Sequence, residues 1–138
     1  MIVRAFKPKE IIDLLERHEG YVAQPYQDSL GNWTFGIGAT YITRKQARNL
    51  AWDQCVDDFM PDLDRDLPWW RGLSKARQLV LLDMCFNLGI NRLLTFRNAL
   101  AAMQAERWDD AAREMLDSRW ARQVGNRSEE LADMMREG

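Results

Sequence analysis

One stretch of the chain, residues 21–42, breaks a pattern that is helical almost everywhere else, and this break limits what the chain can build. Within it Tyr26, Trp33, Phe35, Ile37, Tyr41 and Ile42 alternate with polar residues, the period of two that belongs to strands. Ser29-Leu30-Gly31-Asn32 is a turn signal, so the stretch predicts a small antiparallel hairpin unit. Ahead of it, Ile11, Ile12, Leu14 and Leu15 give residues 8–19 one apolar helical face, with Pro8 in the first turn and Gly20 as the stop. Behind it the helical period returns from Thr43, an N-cap, through Ala47, Leu50, Ala51 and Val56 up to Pro61 or Pro68. Short helices are predicted over about 74–88, 94–104, 107–116 and 126–136. The expectation is an α+β fold in one domain over 1–138: a small helix-plus-hairpin lobe (about 1–42), a connecting helix from about 43, and a mainly helical lobe over about 60–138. A groove between the lobes is the default place for a ligand.

Composition narrows the chemistry. With 19 Lys plus Arg against 21 Asp plus Glu, the net charge of −2 argues against a protein held to nucleic acid by phosphates. The single histidine, His18, excludes sites that need two imidazoles. Cys55 and Cys85 stand thirty positions apart in no CxxC pattern, and 138 residues can bury a core without disulfides, so both read as reduced, largely buried thiols. Asp62, Asp64 and Asp66 alternate like a calcium loop, but Leu67 replaces the required glycine and Leu73 the closing glutamate. Trp52, Trp69, Trp70, Trp108 and Trp120 predict core or inter-helix packing, while Arg119, Arg122 and Arg127 make the C-terminal region locally basic. The opening ten residues hold no signal-like apolar core, and Leu79-Val80-Leu81-Leu82 is too short to span a bilayer. A cytoplasmic protein as synthesised, without stable membrane insertion, is therefore expected.

Carboxylates, hydroxyls and arginines remain. Glu19 lies four after Leu15 and seven after Ile12, which places it on the apolar stripe rather than the solvent face. A partly desolvated carboxyl there favours the protonated form that a general acid needs; the plain alternative is a helix-end glutamate turned to water. Asp28 begins the turn and Thr34 sits in the alternating strand, where turn chemistry and strand propensity are sufficient reasons for each. Gly36-Ile37-Gly38 is no dinucleotide fingerprint, because Tyr41 takes the third glycine's place. It reads as a strand whose missing side chains let another group approach closely.

Taken together, Glu19-Gly20, Asp28, and Gly31-Asn32-Trp33-Thr34-Phe35-Gly36-Ile37-Gly38 resemble the catalytic segment of the phage-type lysozymes, the T-even phage endolysin family (glycoside hydrolase family 24). The resemblance continues in order through Asp83-Met84-Cys85-Phe86-Asn87-Leu88-Gly89, Arg107-Trp108-Asp109-Asp110-Ala111-Ala112, Ser118-Arg119-Trp120 and Asn126-Arg127. It implies a monomeric lysozyme, without cofactor or metal, that hydrolyses peptidoglycan glycan strands between N-acetylmuramic acid and N-acetylglucosamine. In that resemblance Glu19 matches the general acid, Asp28 the second carboxylate, Thr34 the hydroxyl that positions water, and Arg127 the arginine that orients the acid. Phe86 and Asn87, with Gly38, fall where the family lines its sugar cleft. One protonated carboxyl and one ionised carboxylate on opposite sides of a sugar, with room for water, suit inverting hydrolysis. Without a leader, access to the wall implies a holin-type pore.

The departures are specific. Ala39 stands where the family often has a histidine, and the passage from Gly38 to Thr43 is short. Ala99 and Glu114 do not match the family's other cleft positions by identity, and no role is carried to them. Two other readings stay open: a lytic transglycosylase, using one acid and no attacking water, and a non-catalytic wall-binding module.

Overall fold

Pro8 opens the first helix, α1 (Pro8–Glu19), where its missing N–H is harmless, and Glu10 accepts from the Lys7 N–H at 2.6 Å. The structure is a computed structural model that describes residue 5 and residues 7–138; part of the leaderless opening expected from the sequence lies outside them. Gly20, at φ 77°, ends α1 as anticipated. The apolar face is present, but α1 buries none of its residues, and Ile12 is 49% exposed.

Strands β1 (Val22–Gln27) and β2 (Trp33–Gly36) form the expected antiparallel hairpin, with Tyr26 opposite Thr34 and Gln27 opposite Trp33. The register slips between Val22 and Tyr26, where Pro25 has no N–H to give the ladder. Past β2 the chain turns through Gly36-Ile37-Gly38, and Phe35 and Ala39 exchange backbone bonds of 2.8 and 2.9 Å. On β2 the strand alternation points the polar residue inward: Thr34 is 6% exposed and Trp33 61%.

Thr43 caps α2 (Arg44–Gln54) in a reciprocal box, its Oγ1 accepting from the Gln46 N–H and its N–H donating to Gln46 Oε1. The helical path then passes through a π-turn, Cys55–Phe59, into α3 (Met60–Asp66). Pro61 explains the π-turn, since its ring removes one backbone bond and displaces the preceding carbonyl. A 3₁₀ turn, Trp70–Gly72, leads to α4 (Lys75–Leu88), capped by Ser74.

Val80, Leu81, Met84, Cys85 and Leu88 follow helical spacing along α4 and are buried. Next come α5 (Ile90–Leu93), a short helix that the periodicity did not predict, and α6 (Arg97–Gln104), which begins three residues after the start of the predicted 94–104 helix. The Thr95 N–H and hydroxyl both turn back to the Arg92 carbonyl, at 3.1 and 2.6 Å, and close α5 before α6 begins. Then come α7 (Trp108–Leu116), α8 (Arg119–Val124), which no periodicity announced, and α9 (Asn126–Glu137). Ser118 creates α8 by accepting from the Ala121 N–H at 3.0 Å. Ala111 and Ala112 of α7 let it approach α6 and α9 closely, with Met103, Met115 and Met135 filling the interior at 0% exposure.

Two compact units result, one ending at Asn49 and one spanning Leu50–Gly138. Trp70 and Trp120 are core residues as expected, but Trp52 is 59% exposed, because α2 buries none of its side chains. None of the described helices is long and apolar enough to cross a membrane.

Candidate active site

The first unit carries the two carboxylates singled out by their order in the sequence. Glu19 is the last residue of α1, and the partial burial expected from the apolar stripe is not found: its side chain is exposed. The stripe itself is uncovered on α1, so lying on it does not dry the carboxyl. Its position is nonetheless defined. A Cβ added to Gly38 would sit 2.9 Å from Glu19 Oε2 and 3.1 Å from its Cδ. Gly38 also has φ 72°, so both backbone and space demand glycine there. The group approaching the Gly-Ile-Gly segment is the Glu19 carboxyl.

Asp28 sits at the hairpin turn. Its Oδ1 accepts from the Asn32 N–H at 2.8 Å and the Leu30 N–H at 2.9 Å, and Oδ2 receives the Asn32 side-chain amide at 3.4 Å. Gly31, at φ 82°, donates its N–H to the Asp28 carbonyl and lets the turn close. The Asn32 N–H first, then the Leu30 N–H, the Asn32 amide and the Gly31 N–H, hold the half-buried Asp28 carboxyl below its ordinary range. It is ionised at neutral pH. Thr34, paired across the ladder with Tyr26, directs its Oγ1 to the Tyr26 carbonyl at 3.5 Å, a long and weak bond.

The second unit holds the remaining predicted residues. Arg127, expected to orient Glu19, grips Asp83: its Nε and Nη2 reach Asp83 Oδ1 at 2.9 and 2.7 Å. No signal in the sequence marked Asp83 as its partner, since α4 and α9 meet only in the fold. The pair lines an open cavity of about 580 Å³ with Trp52, Leu79, Leu82, Phe86 and Met134. Phe86 is 41% exposed and tilts against Phe59, with ring centroids 5.2 Å apart, so it is a surface aromatic with one packed side. The Asn87 side chain accepts the Trp120 indole N–H at 2.8 Å. That bond fixes its orientation, another contact that sequence reasoning missed.

Other groups are occupied. Asp64 accepts from Trp70 Nε1 and Arg71 Nε, both at 2.7 Å, while Asp62 and Asp66 flank Arg65 at 3.2 and 2.8 Å. Both cysteines are free thiols; Cys85 is buried, and burial first of all pushes it up to about 11. Cys55 is also raised by burial, so neither is a thiolate nucleophile at neutral pH.

An α+β fold with a small helix-plus-hairpin unit and a helical unit following it in sequence is that of a lysozyme-like class. A family model described as phage lysozyme matches residues 16–136, and the chain belongs to that family. It is 27% identical over 161 aligned residues to probable T4-type lysozyme 1 of Dictyostelium discoideum, covering 93% of this chain and 94% of that protein. Probable T4-type lysozyme 2 of the same organism is 22% identical over 159 residues. The pre-baseplate central spike protein Gp5 of Enterobacteria phage T4 is 30% identical over 76 residues, half of this chain and 13% of that one. At the level of class, the function is lysozyme-like hydrolysis of peptidoglycan by a glycosidase.

Proposed function

We propose that the chain is a muramidase, a monomer acting without cofactor, that hydrolyses the β-1,4 bond between N-acetylmuramic acid and N-acetylglucosamine. The observation that carries this reading is the Glu19 carboxyl seated against Gly38 in the same small unit as an Asp28 held ionised by its turn. Glycosidic cleavage uses two carboxyl groups, one of which stays ionised, and Asp28 meets that second requirement. Glu19 protonates the departing oxygen, and a glycan strand lying over it removes the water that now surrounds it. Asp28 and the Thr34 hydroxyl, whose present bond is weak, hold the attacking water. Arg127 orients the acid, with Asp83 fixing its guanidinium, and Phe86 and Asn87 contact the sugars. Made in the cytoplasm, the enzyme reaches the wall through a holin-type pore.

Loss of turbidity of permeabilised bacteria tests the assignment. Glu19→Gln abolishes lysis with circular dichroism unchanged, and Asp28→Asn reduces it severely. Full lysis by the Glu19 variant would remove Glu19 as the acid. Release of 1,6-anhydro products rather than reducing ends would instead identify a transglycosylase, and sedimentation with purified wall without any release would identify a binding module.

A further inference from the structure

The β1–β2 hairpin has two unlike faces. Tyr26 stands opposite Thr34 across the ladder, and the Asp28 N–H donates to the Asn32 carbonyl at 2.8 Å, so strand alternation puts Asp28 and Thr34 on one face. Gln27 and Trp33, paired with each other between those two pairs, belong to the opposite face. Phe35, two after Trp33, lies on that face as well and bridges to Ala39, and Tyr41 follows two residues later. At the other end Val22 pairs with Gly36 on the Thr34 side, which turns the preceding Tyr21 toward the side of Trp33. Trp33, Tyr21 and Tyr41 are 61%, 66% and 79% exposed. Among the described residues the chain passes from β2 to α2 without another helix or strand to cover them.

Exposed aromatic surface concentrated in this way marks a contact site, and its charge identifies what it contacts. From Gly20 to Thr43 the only charged residue is Asp28, which lies on the other face. The aromatic face therefore offers nothing to a phosphate, an anionic lipid surface or the charged groups of a peptide. Its rings can stack on the C–H face of a pyranose, and the Gln27 amide is held only by a 3.4 Å bond to the Gly31 carbonyl. Those are the groups that recognise uncharged, N-acetylated sugars. We infer that this outward face holds a neighbouring glycan strand of the wall while the Asp28–Thr34 face works on another. Trp33 and Tyr41 stack on the sugars of the held strand, and Gln27 pairs with an acetamido group. The inference rests on peptidoglycan being the substrate and adds a sugar-binding surface outside the site of cleavage.

The test compares retention on purified, insoluble wall by the Glu19→Gln protein, which binds without cutting, with retention by the same protein carrying Trp33→Ala and Tyr41→Ala. Removing the two rings is expected to weaken retention about tenfold. The loss should be the same at low and high salt, because no charge is involved. With Glu19 in place, the two substitutions slow lysis of whole wall but leave hydrolysis of a soluble four-sugar wall fragment, and circular dichroism, unchanged. Undiminished retention overturns the inference. So does an equal loss of activity on wall and fragment, which would place the rings in the site of cleavage or in the stability of the hairpin. A dimer in sedimentation velocity that the substitutions convert to monomer would give the face to a second copy of the chain and overturn it too. Failure of the peptidoglycan reading itself is distinct, because the wild-type protein then cuts neither wall nor fragment.

Discussion

Gly38 and Asp28 show how much of the site depends on single residues. At φ 72° a side chain is strained by about 1–2 kcal/mol, and at this position the new methyl would also lie 2.9 Å from Glu19 Oε2. Gly38→Ala is therefore expected to displace the acid and lower lysis by about tenfold or more. Gly36, with open space where its Cβ would be, serves as the control, since alanine there strains the backbone without touching Glu19. Equal losses in both variants would show that backbone strain, not displacement of the carboxyl, is responsible. Asp28 makes a pH-dependent contribution whose sign follows from its lowered pKa. The turn's stabilisation is complete above the ordinary aspartate value of about 3.9 and is lost as pH falls through the lower folded value. An NMR titration of the Asp28 carboxyl should give a midpoint below that of a model aspartate, and Asn32→Ala, which removes only the amide contact, should move it partway back. A midpoint at or above the model value would contradict the turn geometry. Nothing in the sequence separated turn chemistry from catalysis at Asp28, and the structure shows why: the bonds that close the turn are those that keep the carboxylate ionised.

At the scale of elements, local signals were legible wherever the chain satisfies itself. The Thr43 cap, the Gly20 stop and the Gly31 turn are all short-range bonds, and each appears where its residues predicted. Short elements were not legible: α8, capped by Ser118, and α5, closed by Thr95, hold too few residues to show a period. Contacts between elements were hidden as well. Arg77 of α4 stacks its guanidinium 3.7 Å from the centre of the Trp108 ring and donates to the Met135 and Arg136 carbonyls at 2.8 and 3.2 Å. It thus ties the start of α4 and the start of α7 to the open carbonyl end of α9. Arg77→Ala should lower stability by about 1–3 kcal/mol, read as a lower urea midpoint with an unchanged slope, and Arg77→Lys should recover only part. An unchanged midpoint in Arg77→Ala would mean that water replaces these bonds without loss.

For the whole molecule, the stereochemistry of hydrolysis is the test of how the two carboxylates cooperate. In the mechanism we propose, a water held by Asp28 and Thr34 attacks opposite the departing sugar, so the first product should carry the inverted anomer, observed by proton NMR before mutarotation. A retained configuration would place a covalent intermediate, with the carboxyl groups only about 5 Å apart, in the reaction path. By itself the sequence determined the class of fold, the position of the hairpin, most helix ends and the family, because these follow from periodicity, caps and motif order along the chain. The tertiary structure alone decided that Glu19 rests on Gly38 while remaining exposed, that Arg127 holds Asp83, and that Asn87 is fixed by Trp120. It also decided that Thr34 faces inward while Trp33 and Trp52 face water. The partners in those contacts lie between 19 and 44 positions apart, and hydrophobic pattern records which residues favour burial, not which surface arrives to bury them.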